Sequence, residues 1–135
     1  MNKDFKKLEK NLGYSFQKKE TLFKALTHVS KSKENNEVFE FLGDSVLNLI
    51  ISQILVEKFS MEDEGTLSLM RSKLVSRTTL NKIAKKLELD SFIIKGDSLA
   101  GQETPENILG NALEAIFGAV YKESGLESVS YTHLT

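Results

Sequence analysis

Asn36-Glu37-Val38-Phe39-Glu40-Phe41-Leu42-Gly43-Asp44-Ser45 opens an apolar run that continues through Val46, Leu47, Leu49, Ile50, Ile51, Ile54 and Leu55. At about 100° per residue, a helix from this stretch to about Lys58 gathers Glu37, Glu40 and Asp44 into roughly one quadrant. Three like charges on one face repel by about a few tenths of a kcal/mol per pair in water, and by far more where water is excluded. A divalent cation is the simplest relief. The plainer alternative is the solvated face of an ordinary amphipathic helix.

A second segment bears on that choice. Ile108 to Tyr121 is apolar nearly all round and reads as a buried helix, with Asn111 and Glu114 three residues apart on one face. Glu114 is its only charge. An unpaired carboxylate there costs about several kcal/mol unless it stays neutral, pairs with a cation or binds a metal. No Lys or Arg within the segment offers itself as that partner. Oxygen donors alone, in a chain with no Cys and only His28 and His133, favour a hard ion such as Mg²⁺ or Mn²⁺ over zinc. Such ions act on phosphates.

Asn36 to Ser45 resembles the signature of the ribonuclease III family, N-E-x-L-E-F-L-G-D-[SA], with Phe39 in place of Leu. Leu12-Gly13-Tyr14-Ser15-Phe16 and Ala25-Leu26-Thr27-His28-Val29-Ser30 resemble the family's opening helices. Asp63 to Ser68 followed by Arg71 to Val75 resembles its segment E-G-x-L-S-x-x-R-x-x-L-V. These linked motifs follow in order and cover residues 5 to about 128.

The resemblance implies an all-α ribonuclease III endonuclease-domain fold. It implies a metal-dependent endoribonuclease that cleaves double-stranded RNA to 5′-phosphate and 3′-hydroxyl ends with short 3′ overhangs. Mg²⁺ is the expected ion, with Mn²⁺ able to substitute. Glu37, Glu40, Asp44 and Glu114 fall on the family's active-site carboxylates, and Glu64 on a further acid of its catalytic valley. Glu40, Asp44 and Glu114, with Asn111, are the expected metal ligands. Glu37 and Glu64 are expected in supporting or substrate-facing catalytic roles beside Asp44 and Glu114.

Asn111 departs from the family pattern I-L-x-D-A-x-E-A, in which an aspartate supports the metal site. An amide oxygen ligates or accepts a hydrogen bond but brings no negative charge, so weaker metal binding and slower turnover are expected. A tolerated variant, a natural loss of activity and a change made to hold substrate uncut all fit that residue. The alternative function is therefore a cleavage-deficient duplex-RNA-binding or structural protein on the same fold, against which the retained acids argue. A helical phosphohydrolase unrelated to RNA would need His-Asp pairs or further acids, which the sequence lacks.

Phe41 lies about 40° from Glu37 on the helix, beside the acids and not opposite them where a core aromatic belongs. An exposed Phe there suggests a partner surface. In the family resembled, the corresponding aromatic plugs a cavity on a second subunit, and the symmetric homodimer forms a valley with an acidic cluster at each end, one for each strand. The alternative is packing within its own subunit. RNA is expected to be recognised by A-form shape through phosphates and 2′-hydroxyls, and no individual RNA-binding residue is assigned. Arg71, Lys73 and Arg77 read equally as phosphate contacts or as partners of Glu62 and Glu64. His28 reads as a hydrogen-bonded structural residue.

The 135 residues, 40% hydrophobic and 27% charged, suit one compact domain. Neither a signal peptide nor a membrane span is expected, and no membrane partner. The absence of cysteine fits a cytoplasmic location. The net charge of −1 conceals a division: residues 1 to 33 hold nine Lys against three acids, while the remainder holds nine Lys or Arg against sixteen acids. The basic end can contact phosphates; equally, Lys3, Lys6, Lys7, Lys10, Lys18 and Lys19 can simply solvate helices.

The periodicity predicts helices ending at Gly13, from Lys18 to Ser30, from Glu64 to Ser76 and from Thr78 to Leu87, with Ser76 or Thr78 as a cap. Lys31 to Asn36 and Ile93 to Asn107 read as loops, and Phe92-Ile93-Ile94 carries the one short strand signal. Residues 1–128 form the expected catalytic domain. Residues 129–135, Val-Ser-Tyr-Thr-His-Leu-Thr, match one frame of a transposon end used in sequencing adapters and read as a non-native tail, in place of a last helix, a linker and often a duplex-RNA-binding domain.

Overall fold

The computed structural model describes residues 5–99 and 104–130. The described residues form seven α-helices: α1 (Phe5–Leu12), α2 (Lys19–Leu26), α3 (Glu37–Lys58), α4 (Glu64–Leu74), α5 (Arg77–Lys86), α6 (Glu106–Ser124) and α7 (Leu126–Ser130). Two short 3₁₀ turns, Leu89–Ser91 and Asp97–Leu99, lie between α5 and α6. The architecture is all-α, and the β pairing among the described residues is one parallel bridge between Thr27 and Ile94.

α6 is the hub, packed against α2, α3, α5 and α7, most extensively against α3. Its Ala112, Leu113, Ile116, Phe117 and Val120 are fully buried. Leu8 and Leu12 of α1, Leu22 and Leu26 of α2, Leu47 and Ile50 of α3 and Leu80 of α5 close around it. α3 and α6 come together at glycines. A Cβ at Gly43 would stand 1.7 Å from the Glu114 carbonyl oxygen, and one at Gly118 would stand 2.1 Å from that of Phe39. The two backbones therefore touch at the level of the acids. Phe39 keeps the core role of the Leu it replaces, buried and with Lys24 Nζ 5.5 Å from its ring centre.

The helix starts are chemically marked. Asn36 directs its side chain backward, donating from Nδ2 to the Ala25 carbonyl, while its N–H bonds the Thr27 carbonyl; this fastens α3 to the end of α2. Asp63 caps α4 by accepting from Thr66 N–H, and Ser76 caps α5 by accepting from Thr79 N–H. These bonds hold the exposed Asp63 carboxyl below its usual range.

Several expected boundaries move, among them the end of α4, at Leu74 and not Ser76. α2 ends at Leu26, not Ser30, because the backbone turns extended at Thr27 and exchanges helical bonds for Ile94 N–H to Leu26 O and His28 N–H to Ile94 O. The strand signal at Phe92 to Ile94 is spent on that single bridge. α5 begins at Arg77, one residue early. α6 begins at Glu106, inside the stretch expected as loop, after Pro105, which fits a helix start because no helical bond there needs its missing N–H.

α3 is, by length and mean hydropathy, apolar enough to cross a bilayer. Its buried Val46, Leu47, Ile50, Ile51 and Leu55 belong to the domain core. At the C-terminal end α7 runs across the boundary expected at residue 128, with Val129 fully buried; residues 131–135 of the expected tail lie outside the described residues.

Candidate active site

The first two turns of α3 carry Glu37, Glu40 and Asp44 toward the middle of α6, where Glu114 stands. Together with Phe41 and Arg77 these four acids line one open cavity of about 420 Å³. Glu37 and Asp44 are exposed, Glu40 is half-buried and Glu114 is buried. The glycine contact of α3 with α6 puts the groups there, since Gly43 adjoins Asp44 and lies on the backbone of Glu114 itself.

Glu114 has a cationic partner that comes from outside its helix. Arg77, the first residue of α5, places Nη1 3.2 Å from Glu114 Oε1, with side-chain exposures of 44% and 4% respectively. Arg77 reads from the sequence equally as a phosphate contact or as a partner of acids such as Glu62 and Glu64; the structure pairs it with an acid, and that acid is Glu114. The pairing is made possible by Gly110, one helical turn before Glu114: a Cβ there would lie 3.0 Å from Arg77 Nη1, 3.1 Å from its Cδ and 2.5 Å from Asn81 Oδ1. Glu114 thus has a glycine one turn away on either side. Gly118 admits the backbone of α3 and Gly110 admits the side chain of Arg77.

Burial pushes the Glu114 carboxyl up to about 7; the Arg77 guanidinium pulls the other way, and the hydrogen bond and charge of Asp44 add to the rise. Glu40 is also raised by burial, against Arg77 and with the help of Glu37 and Asp44. Burial and the neighbouring carboxylates thus make the charged forms of Glu40 and Glu114 costly in this cavity.

A hard divalent ion suits this donor set, which is all oxygen and bears more negative charge than Arg77 neutralises. Among the described residues, no three acidic or histidine side chains already converge as a chelating group. One oxygen of Glu114 is engaged by Arg77 instead. Glu40, Asp44 and Glu114 are the cavity residues whose oxygens could ligate such an ion.

The other expected site residues lie elsewhere. Asn111 is half-buried on α6 next to Gly110 and three residues before Glu114, and is not among the residues lining the acidic cavity. Glu64, at the start of α4, is exposed and lines a separate cavity with Ser52, Val56 and Arg71, where Arg71 Nη1 donates to Ser52 Oγ at 2.8 Å. The structure does not bring it to the other acids of its own chain. Phe41 is 78% exposed at the rim of the acidic cavity. His28 is outside the cavity, its ring Nδ1 bonded to Ser30 Oγ at 2.8 Å. Several lysines of the basic end are occupied locally: Lys7 with Glu88, Lys19 with Glu9 and Lys24 with Glu34.

The functional residue whose partner sequence reasoning missed is Arg77, and the spacing Gly110-x-x-x-Glu114-x-x-x-Gly118 was the available signal. Two glycines on the face of a buried acid announce that two other elements approach it closely.

A ribonuclease-III-like family model matches residues 18–134. The chain is 47% identical over 118 residues to Ribonuclease 3 of Francisella tularensis subsp. novicida, covering 87% of this chain and 51% of that one. It is 44% identical over 129 residues to Ribonuclease 3 of Sulfurovum, covering 93% and 57%. The chain thus spans about half the length of these relatives. Its fold is similar to a nuclease domain of ribonuclease III from Campylobacter jejuni, described for structural flexibility in a region involved in dimer formation. There the TM-score is 0.89 at 42% identity, covering 94% of this chain and 92% of that one. On sequence and fold, the chain belongs to the ribonuclease-III-like family.

Proposed function

We propose that this chain is the nuclease domain of a divalent-metal-dependent endoribonuclease acting on double-stranded RNA. The observation that carries the reading is the convergence of buried Glu114 with Glu37, Glu40 and Asp44 on one cavity, in a member of this family. Glu40, Asp44 and Glu114 hold the ion, Mg²⁺ by preference or Mn²⁺. When bound, that ion polarises the scissile phosphate and makes a water nucleophilic at neutral pH.

The side chains perform the remaining work. Burial, with Asp44 nearby, holds the Glu114 carboxyl up to about 7 against the pull of Arg77, and a bound cation would favour its ionised form. Glu37, on the exposed first turn of α3, faces the side from which substrate enters. Asn111, three residues before Glu114 on α6, carries no charge, which lowers cation affinity relative to an aspartate there. The products are 5′-phosphate and 3′-hydroxyl ends with short 3′ overhangs, formed by two sites acting on opposite strands.

Two sites require two copies. Val38, Leu49 and Val56 form an exposed apolar stripe along α3, with Phe41 beside it. This stripe supports a homodimer in which Phe41 enters the partner and each acidic cavity faces one strand. Glu64 belongs to the valley so formed. The setting for this chemistry is the cytoplasm, and its RNA is read by duplex shape.

The test is cleavage of an end-labelled RNA duplex at low salt with Mg²⁺ or Mn²⁺, compared with the single-stranded and DNA-duplex counterparts. Duplex-specific products bearing 5′-phosphates, lost in Asp44→Asn, are expected. Duplex binding without scission at any ion concentration would instead establish the cleavage-deficient reading that Asn111 favours.

A further inference from the structure

The pairing of Arg77 with Glu114 has features of a replaceable contact. Its anionic side is built in: Glu114 is buried on a helix whose backbone is locked against α3 at Gly43 and Gly118. Its cationic side is not, since 44% of the Arg77 side chain is exposed and the residue starts its helix immediately after the cap Ser76. Gly110 opens the path along which that side chain reaches the acid, and a Cβ there would press on both Cδ and Nη1. The guanidinium lines the same cavity as Glu37, Glu40 and Asp44.

An arginine does not lose its charge by deprotonation, so it leaves a carboxylate only by moving. A divalent ion ligated by Glu114 would stand within a few ångströms of Nη1, where like charges repel strongly in a partly dry site. Ion and guanidinium therefore compete for one carboxylate.

We propose that Arg77 is a tethered cation that occupies the Glu114 side of the cavity until a divalent ion displaces it, and so sets the ion concentration at which the site fills. The proposal rests on the metal-site reading above. Arg77 adds its positive charge inside the cavity, and this raises the ion concentration required whatever Asn111, outside the cavity lining, contributes. In the absence of the ion the same residue holds Glu114 in place and stabilises the empty domain.

The test is direct Mn²⁺ binding, read by the electron paramagnetic resonance signal of free Mn²⁺, for the parent chain, Arg77→Met and Arg77→Gln, with Arg77→Lys as the charge-retaining variant. Thermal unfolding with and without Mn²⁺ is measured on the same samples. Neutral substitution is expected to tighten Mn²⁺ binding by about tenfold or more, to lower the melting temperature in chelator and to enlarge the rise that Mn²⁺ produces. Arg77→Lys should bind Mn²⁺ close to the parent. Parent binding that is matched or exceeded in weakness by both folded neutral variants overturns the proposal and leaves the metal site standing. No Mn²⁺ binding by the parent or any variant overturns the metal-site reading and the proposal with it. Arg77→Gln keeps the question decidable if Arg77→Met does not fold.

Discussion

Glu114 and Glu123 stand nine residues apart on α6, and they are held in opposite ways. Glu123 accepts from Tyr14 Oη and from the backbone N–H groups of Gln17 at 2.9 Å and Lys18 at 3.2 Å. It thereby ties the start of α2 to the end of α6, where Lys18 provides no side-chain cap of its own. Burial acts to raise its carboxyl, but these donors outweigh burial and leave it below its usual range. Glu9 is of the same kind: buried, it accepts from Phe16 N–H at 2.6 Å and from Lys19 Nζ at 2.7 Å. Glu114 has one half-exposed guanidinium and a second carboxyl for company, and it is raised. An acid inside this domain is structural where donors surround it, and reactive where they do not.

The sharpest break between the two kinds is in catalysis. Glu114→Gln removes a metal-binding charge worth several kcal/mol in the transition state and should lower duplex cleavage on the order of 10³-fold. Glu123→Gln should leave the rate per folded molecule unchanged. Single-turnover assays on both variants make the comparison, and comparable losses in the two would dissolve it.

The glycines that create the reactive site come next in size. Gly43→Ala and Gly118→Ala force a methyl against a main-chain carbonyl, with a cost of about 3 kcal/mol or more. Gly110→Ala meets only the side chains of Arg77 and Asn81, so it should cost less in urea denaturation while still disturbing the pairing of Arg77 with Glu114.

Removing the structural acid should cost less again. Glu123→Ala removes hydrogen bonds to two exposed backbone donors at the start of α2, which water can take over, and should lower stability by about 0.5–1.5 kcal/mol. Glu114→Gln in chelator should be close to neutral, because the charge it leaves unpaired, Arg77, can turn into water. Equal losses in the two variants would mean that Glu114 is held for stability after all.

The smallest effect is a difference in slope with pH. Glu114 is raised from its ordinary value near 4.5 to about 7, so the folded state binds that proton more tightly than the unfolded state. Its contribution is complete below about pH 4.5 and is lost as pH rises toward 7. Glu123 is lowered, so its contribution is present above its ordinary value and is lost as pH falls through its folded value. Stability measured in chelator should therefore change less between pH 4.5 and 7 in Glu114→Gln than in the parent, whereas Glu123→Gln should flatten the acidic limb.

The sequence conveyed the helices and most of the site because both are local. Glu37, Glu40 and Asp44 share a face through spacing alone, and Glu114 is conspicuous as the single charge in an apolar helix. The exposure of Phe41 followed from the same angles. The glycines around Glu114 announce a close approach but not by which residue, since Arg77 lies 37 residues away and only the packing of α5 on α6 brings the two together. The end of α2 was missed for a like reason: Thr27 leaves the helix for a bridge to Ile94, a contact that no local period records. Glu9 and Glu123 lie on surface-like patterns and reveal their role only through the backbone donors that surround them.

The most direct test of the account is to titrate Mg²⁺ and Mn²⁺ against cleavage of one labelled RNA duplex by the parent and by Asn111→Asp, at low salt and matched folding. The account predicts that both cut, with the parent needing the higher ion concentration to reach the same rate. Absence of cutting by both at every concentration, while both remain folded, would contradict it.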